Sequence, residues 1–190
     1  MRVKDEQKVF KIYKATLKLI HEIGIAGITM QKISKEAGMA IGTVYIYFKN
    51  KNKLINQLYV HLYEKSKKSF YEGIDFEGDF KNNLKQVWKN YLLNRLDNHE
   101  ESIFLEQYYR SPFITKEEKK LYEDLKQPFY QLLDYGKSQG VVQDVENEML
   151  LCVLLGFLRE LSSEHVEKKF SLNDERIERA FKISWNSLKK

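Results

Sequence analysis

Apolar residues recur along this chain every three to four positions, and no stretch sustains the alternation of a strand. Val9, Ile12, Tyr13, Thr16, Leu19, Ile20 and Ile23 fall on one helical face, and Gly24 stops that helix where a positive φ is wanted. Thr29 is placed to N-cap a short second helix, MQKISKEA, with Ile33 and Ala37 inward and Gly38 at its end. A third spans about 41–47. Asn50 suits the N-cap of a fourth, which gathers Leu54, Ile55, Leu58, Tyr59, Leu62 and Ser66 on one side. After a loop over 71–79 comes a fifth helix, about 79–97, uniting Phe80, Leu84, Val87, Trp88, Tyr91 and Leu92. A sixth, about 100–110, ends at Ser111-Pro112, because the residue before proline resists the helical region. The seventh, 115–138, is predicted to kink or break at Pro128, and Gly140 closes it. The eighth, 144–166, contains MLLCVLLGFL and is apolar all round, so it must be covered on more than one side. The ninth, 173–188, carries Ile177, Phe181, Ser184, Trp185 and Leu188 in one stripe. The pattern predicts an all-α fold of about nine helices.

Composition bounds that picture without changing it. At 190 residues, with 43% hydrophobic and 31% charged, the chain can build a sizeable core. Its longest apolar run, residues 149–158, is about half a membrane span. The N-terminal MRVKDEQKVF has charge but no apolar centre, so no secretory signal is read and a cytoplasmic location is expected. A single cysteine, Cys152, allows no internal disulfide, and its apolar setting predicts a buried, inert thiol. Charge does change the picture. Residues 1–55 hold eleven Lys/Arg against four Asp/Glu, a balance of +7, which leaves −2 for the rest. A basic head on a slightly acidic body suits a polyanion partner for the head alone.

The segment 36–54, EAGMAIGTVYIYFKNKNKL, gives that partner a shape. Two short helices joined by EAGMAIG read as a helix-turn-helix, whose second helix fits the major groove of DNA. Val44 and Phe48 then face Ile33 and the first helix, while Thr43, Tyr45 and Tyr47 turn hydroxyls outward. Gly42 removes a side chain where the backbone approaches the duplex. Lys49 and Lys51 supply cations, Lys51 in the first turn of the fourth helix beside free backbone N–H groups. Thr29 offers a hydroxyl on the other flank. Taken singly, each tyrosine is as well explained by half-buried packing, and each lysine by solvation. Together they mark a nucleic-acid surface.

Residues 29–54, TMQKISKEAGMAIGTVYIYFKNKNKL, also resemble the DNA-binding segment of TetR-family transcriptional regulators. The common pattern there is I-A-x-x-A-G-V-S-x-G-T-L-Y-x-Y-F-x-x-K-x-x-L. Ile33, Ala37, Gly38, Gly42, Thr43, Tyr45, Tyr47, Phe48, Lys51 and Leu54 match it without a gap. Ala40 stands where the pattern has Ser, which removes an N-cap worth about 1 kcal/mol. Ile41 and Ile46 stand where polar residues are frequent, and Asn52 where Glu is common. Apolar side chains there suit contact with thymine methyl groups.

The resemblance implies a three-helix head (1–50) and a ligand-binding and dimerisation domain (51–190). It further implies a palindromic duplex operator, a homodimer and a small-molecule effector, with no metal or cofactor. The dimer is expected to bury Leu154, Phe157, Leu158, Leu161, Ile177, Phe181, Trp185 and Leu188 in a four-helix bundle. The effector pocket is expected among Tyr59, Tyr63, Trp88, Tyr91, Phe104, Gln107, Tyr108 and Phe129, with Cys152 and Leu155 from the eighth helix. Taken residue by residue, plain core packing is the better account of the aromatics.

An enzyme finds no support in these residues. None of the four histidines has a Glu three positions before it, and there is no zinc-type Cys pair, phosphate loop or nucleophile elbow. The other alternative is a helical protein-interaction module without sequence-specific DNA binding.

Overall fold

A computed structural model describes residues 5–76 and 78–190. Among them lie α1 (Glu6–Gly27), α2 (Met30–Glu36), α3 (Ile41–Tyr47), α4 (Lys51–Phe70), α5 (Phe80–Asp97), α6 (His99–Tyr109), α7 (Lys116–Ser138), α8 (Asn147–Val166) and α9 (Asp174–Leu188). The described residues contain no strand, only an isolated bridge between Val142 and Lys189. No described helix is long and apolar enough to cross a membrane.

The chain divides into two units, and the division differs from a cut at residue 50. One unit joins residues 1–64 to 100–119; the other joins 65–99 to 120–190. The first therefore adds most of α4, nearly all of α6 and the start of α7 to the three N-terminal helices. Each unit has its own core. Ile12, Ile20, Ile33, Val44, Phe48, Leu54 and Leu58 centre the first, with Phe104 and Tyr108 from α6. Leu84, Trp88, Leu92, Leu133, Leu154, Leu158, Phe181 and Leu188 centre the second, where α5 packs on α8 and α8 on α9.

Local chemistry sets the boundaries. Gly24 sits at φ 71° and interrupts α1, a conformation that costs a residue without a Cβ little. The helical turn resumes as far as Gly27, and Ile23, just before the interruption, is exposed. Asp79 caps α5 through the Asn82 amide at 2.9 Å. At the start of α7, Thr115 Oγ1 accepts from the Glu118 amide and Glu118 Oε2 accepts from the Thr115 amide, a reciprocal capping box. That helix runs through Pro128 without breaking. In the turn before the proline, the Leu125 carbonyl accepts a 2.6 Å hydrogen bond from the Tyr71 hydroxyl.

Several side chains expected at other surfaces serve the cores. Leu154, Leu158, Phe181 and Leu188 are buried within the second unit, while Phe157, Leu161, Ile177 and Trp185 are half-buried against the same core. A second copy would not meet the first four. The aromatics expected to share one pocket divide between the units: Tyr59, Tyr63, Phe104 and Tyr108 lie in the first, Trp88, Tyr91 and Phe129 in the second. Tyr59 and Tyr108 pack with ring centroids 4.8 Å apart, and Trp88 Nε1 donates to Ser184 Oγ at 3.0 Å. Gln107 is exposed rather than turned inward with Phe104 and Tyr108. Cys152 is also exposed, contrary to the buried thiol expected, because α8 leaves one apolar side uncovered by its own chain.

Two phenols, buried Tyr108 and half-buried Tyr71, give the fold an alkaline limit. Burial raises Tyr108, and its hydrogen bond to the Glu118 carboxylate, 2.9 Å away, raises it further. Burial raises Tyr71 as well. Both therefore hold their protons more tightly folded than unfolded. Their contribution is intact below the unfolded phenol's pKa of about 10 and is lost as the pH rises beyond it. Urea midpoints should hold steady up to about pH 10 and then fall, and Tyr108→Phe should make the fall shallower.

Candidate nucleic-acid interface

The turn between α2 and α3 is a tight one built at Gly38. Its φ of 64° closes a Schellman cap. The Met39 amide donates to the Ser34 carbonyl at 2.9 Å and the Gly38 amide to the Lys35 carbonyl at 3.1 Å. Met39 packs back onto the core that holds Ile33, which fixes where α3 begins. Thr29 Oγ1 accepts from the Lys32 amide at 3.2 Å, so its hydroxyl is already engaged as the cap of α2. Ala40 gives α3 no side-chain cap. Asn50 Oδ1 accepts from the Lys53 amide at 2.8 Å, which starts α4 just beyond α3.

Helical geometry sorts α3 into two faces. Val44, together with Phe48 at its end, is buried against Ile33 and α1, as the pattern predicts. Thr43 and Tyr47 are half-buried on the flank, with Tyr47 packed on the core. Ile41, Gly42, Tyr45 and Ile46, at i, i+1, i+4 and i+5, form the outer face. The three side chains on it are exposed by 42%, 50% and 63% in chain order. Ile46, read with Ile41 as an apolar residue at a base-contacting position, is among the most exposed large apolar residues.

The head is rich in lysine, and several of these side chains are engaged within it. Lys18 reaches Glu36 at 2.6 Å, and that hydrogen bond and charge raise its pKa. Lys32 Nζ donates to the Gly27 carbonyl at 2.9 Å and Lys51 Nζ to the Ile25 carbonyl at 3.4 Å, so both close the C-terminal end of α1. The Lys51 ammonium expected at a phosphate is thus half-buried on a carbonyl. Lys35, Lys49 and Lys53 are exposed. Among the described residues no group of His, Cys, Asp or Glu is arranged to hold a metal.

A short helix held proud of a basic head by a fixed turn defines a helix-turn-helix protein of the DNA-binding kind. Residues 12–58 match the N-terminal family model of bacterial regulatory proteins of the tetR family. Residues 80–189 match the model of the tetracyclin repressor-like C-terminal domain. The chain belongs to the TetR family of transcriptional regulators.

An uncharacterized HTH-type transcriptional regulator of Haemophilus influenzae is 26% identical over 181 residues, 95% of each chain. A solved TetR-family transcriptional regulator from the same organism superposes with a TM-score of 0.78 at 26% identity, covering all of both chains. One from Marinobacter aquaeolei VT8 gives 0.89 at 23% identity, again over all of both chains, and shares the fold.

Proposed function

We propose that this regulator is a homodimeric repressor that grips a palindromic operator through α3 and lets go when a small molecule binds its second unit. The outer face of α3, standing on a head of net +7, is the observation that carries the DNA-binding half. A twofold dimer would set two such helices about one DNA turn apart, or a little more.

The second copy is supported by α8. Met149, Cys152, Val153 and Gly156 form one stripe away from the buried Leu150, Leu154 and Leu158. Met149 is 59% and Val153 47% exposed, and a Cβ on Gly156 would meet nothing within 4 Å. On α9, Ile183 is 59% exposed. These residues replace Leu154, Leu158, Phe181 and Leu188 as the contacts offered to a partner.

For the effector, Tyr91, Phe129 and Leu155 share the second unit and form the proposed lining, while Trp88 is held in its core. Release follows from linkage: an effector that prefers the DNA-incompetent state lowers operator affinity by that preference.

Selection of randomised duplexes by the purified protein tests the reading, with a Thr43→Ala/Tyr47→Phe double variant alongside. Enrichment of a palindrome by the wild type and not by the variant supports it. Enrichment of nothing, even at low salt, overturns it and favours a protein-interaction module.

A further inference from the structure

We infer that α3 reads its operator through thymine methyl groups, with Ile41 and Ile46 as the specificity-determining side chains on either side of Gly42. This deepens the DNA-binding reading and rests on it. The outer face of α3 carries no Arg, Lys, Asn, Gln, Asp or Glu, the side chains that pair with guanine, adenine or cytosine edges. Its polar side chain is Tyr45, a single hydroxyl. The rest is two exposed isoleucines and a glycine. In the major groove only thymine presents an apolar group, its C5-methyl, so an apolar helix face has one complementary base.

Gly42 supports the same occupant independently. Its Cβ would meet nothing within 4 Å, so nothing inside the chain requires a glycine there. In a helix of seven residues glycine costs about 1 kcal/mol relative to alanine. The requirement comes from outside, from a surface that must approach the backbone closely. The basic charge of the head points to a polyanionic surface, with Lys35 at the end of α2, Lys49 just after α3 and Lys53 at the start of α4 all exposed. A protein partner for an apolar patch would be better matched by an apolar or acidic rim. The sequence readout is therefore apolar, and the lysines supply affinity that does not depend on sequence.

The test replaces each thymine of the selected operator singly by deoxyuridine, which removes only the methyl group. Affinity is measured at fixed salt for the wild type and for Ile41→Ala and Ile46→Ala, both changes lying outside the core. Deoxyuridine at one or two positions per half-site should weaken wild-type binding about three- to fivefold each, the worth of one buried methyl. At those positions the matching alanine variant should bind thymine and deoxyuridine operators alike. Undiminished binding to every deoxyuridine operator would overturn the inference, as would sensitivity that survives in both variants. Absence of salt-dependent binding to the thymine operator itself is a different failure, that of DNA binding by this chain.

Discussion

Gly42→Leu should yield a more stable protein that no longer holds its operator. Gly42 lies in the exposed face of a seven-residue helix with open space where a side chain would project. Leucine there gains about 0.5–1 kcal/mol of helix propensity, and its Cβ meets nothing within 4 Å. The same side chain would hold α3 away from the groove. Each buried methyl contact is worth about 0.8 kcal/mol, and those contacts would be lost together with the phosphate contacts around them, so operator affinity should fall by roughly a hundredfold or more. Urea unfolding and DNA titration on one preparation measure the opposed effects. Gly42→Ala should show most of the stability gain and a smaller loss of binding. A leucine variant that binds normally would place the DNA on some other surface.

Val153→Glu should convert the protein to a monomer while leaving its fold intact. Val153 is exposed in the single chain, so the substitution disturbs no core of its own. At a twofold contact it sets a carboxylate from each copy into an apolar face, where an uncompensated charge is strongly destabilising. Sedimentation at micromolar concentration should shift from dimer to monomer, with the helical circular dichroism unchanged. Without the second attachment point, palindrome affinity should also drop by about a hundredfold to ten-thousandfold. Val153→Ala should remain dimeric. A glutamate variant that still sediments as a dimer would move the contact away from this stripe.

Signals confined to a few neighbouring residues were legible in the sequence. Thr29, Asn50 and Gly38 each punctuate the backbone as read, Gly24 takes the positive φ read for it though α1 resumes beyond it, and Ala40 does leave α3 uncapped. The inward set of α4, from Leu54 to Ser66, is buried as the periodicity requires. Choices that depend on distant packing were not legible. Periodicity assigns an inner face only where the opposite face is polar, so α8 gave no clue which of its apolar sides its own chain would cover. Cys152 and Leu154 fell on the unexpected sides for that reason. Aromatics that pack a core and aromatics that line a pocket are the same residue types, and Trp88 and Tyr108 proved to be tied into their cores by hydrogen bonds. Residues 115–118 contained a capping box in plain view, yet the role of its glutamate in holding the Tyr108 hydroxyl required the fold.

The lysines that close the end of α1 have a consequence for how the head meets salt. A cation contributes to the ionic-strength dependence of DNA binding only when it displaces a counterion condensed on the duplex. Lys32 and Lys51 are occupied with carbonyls and Lys18 with a carboxylate, so they are part of the scaffold before any duplex arrives. The number of sodium ions released per head is then set by the lysines that hold no such partner, and the total of basic residues overstates it. A head built this way keeps more of its grip as salt rises than its formal charge suggests, and leaves more of the discrimination to the shape and methyl pattern of the groove.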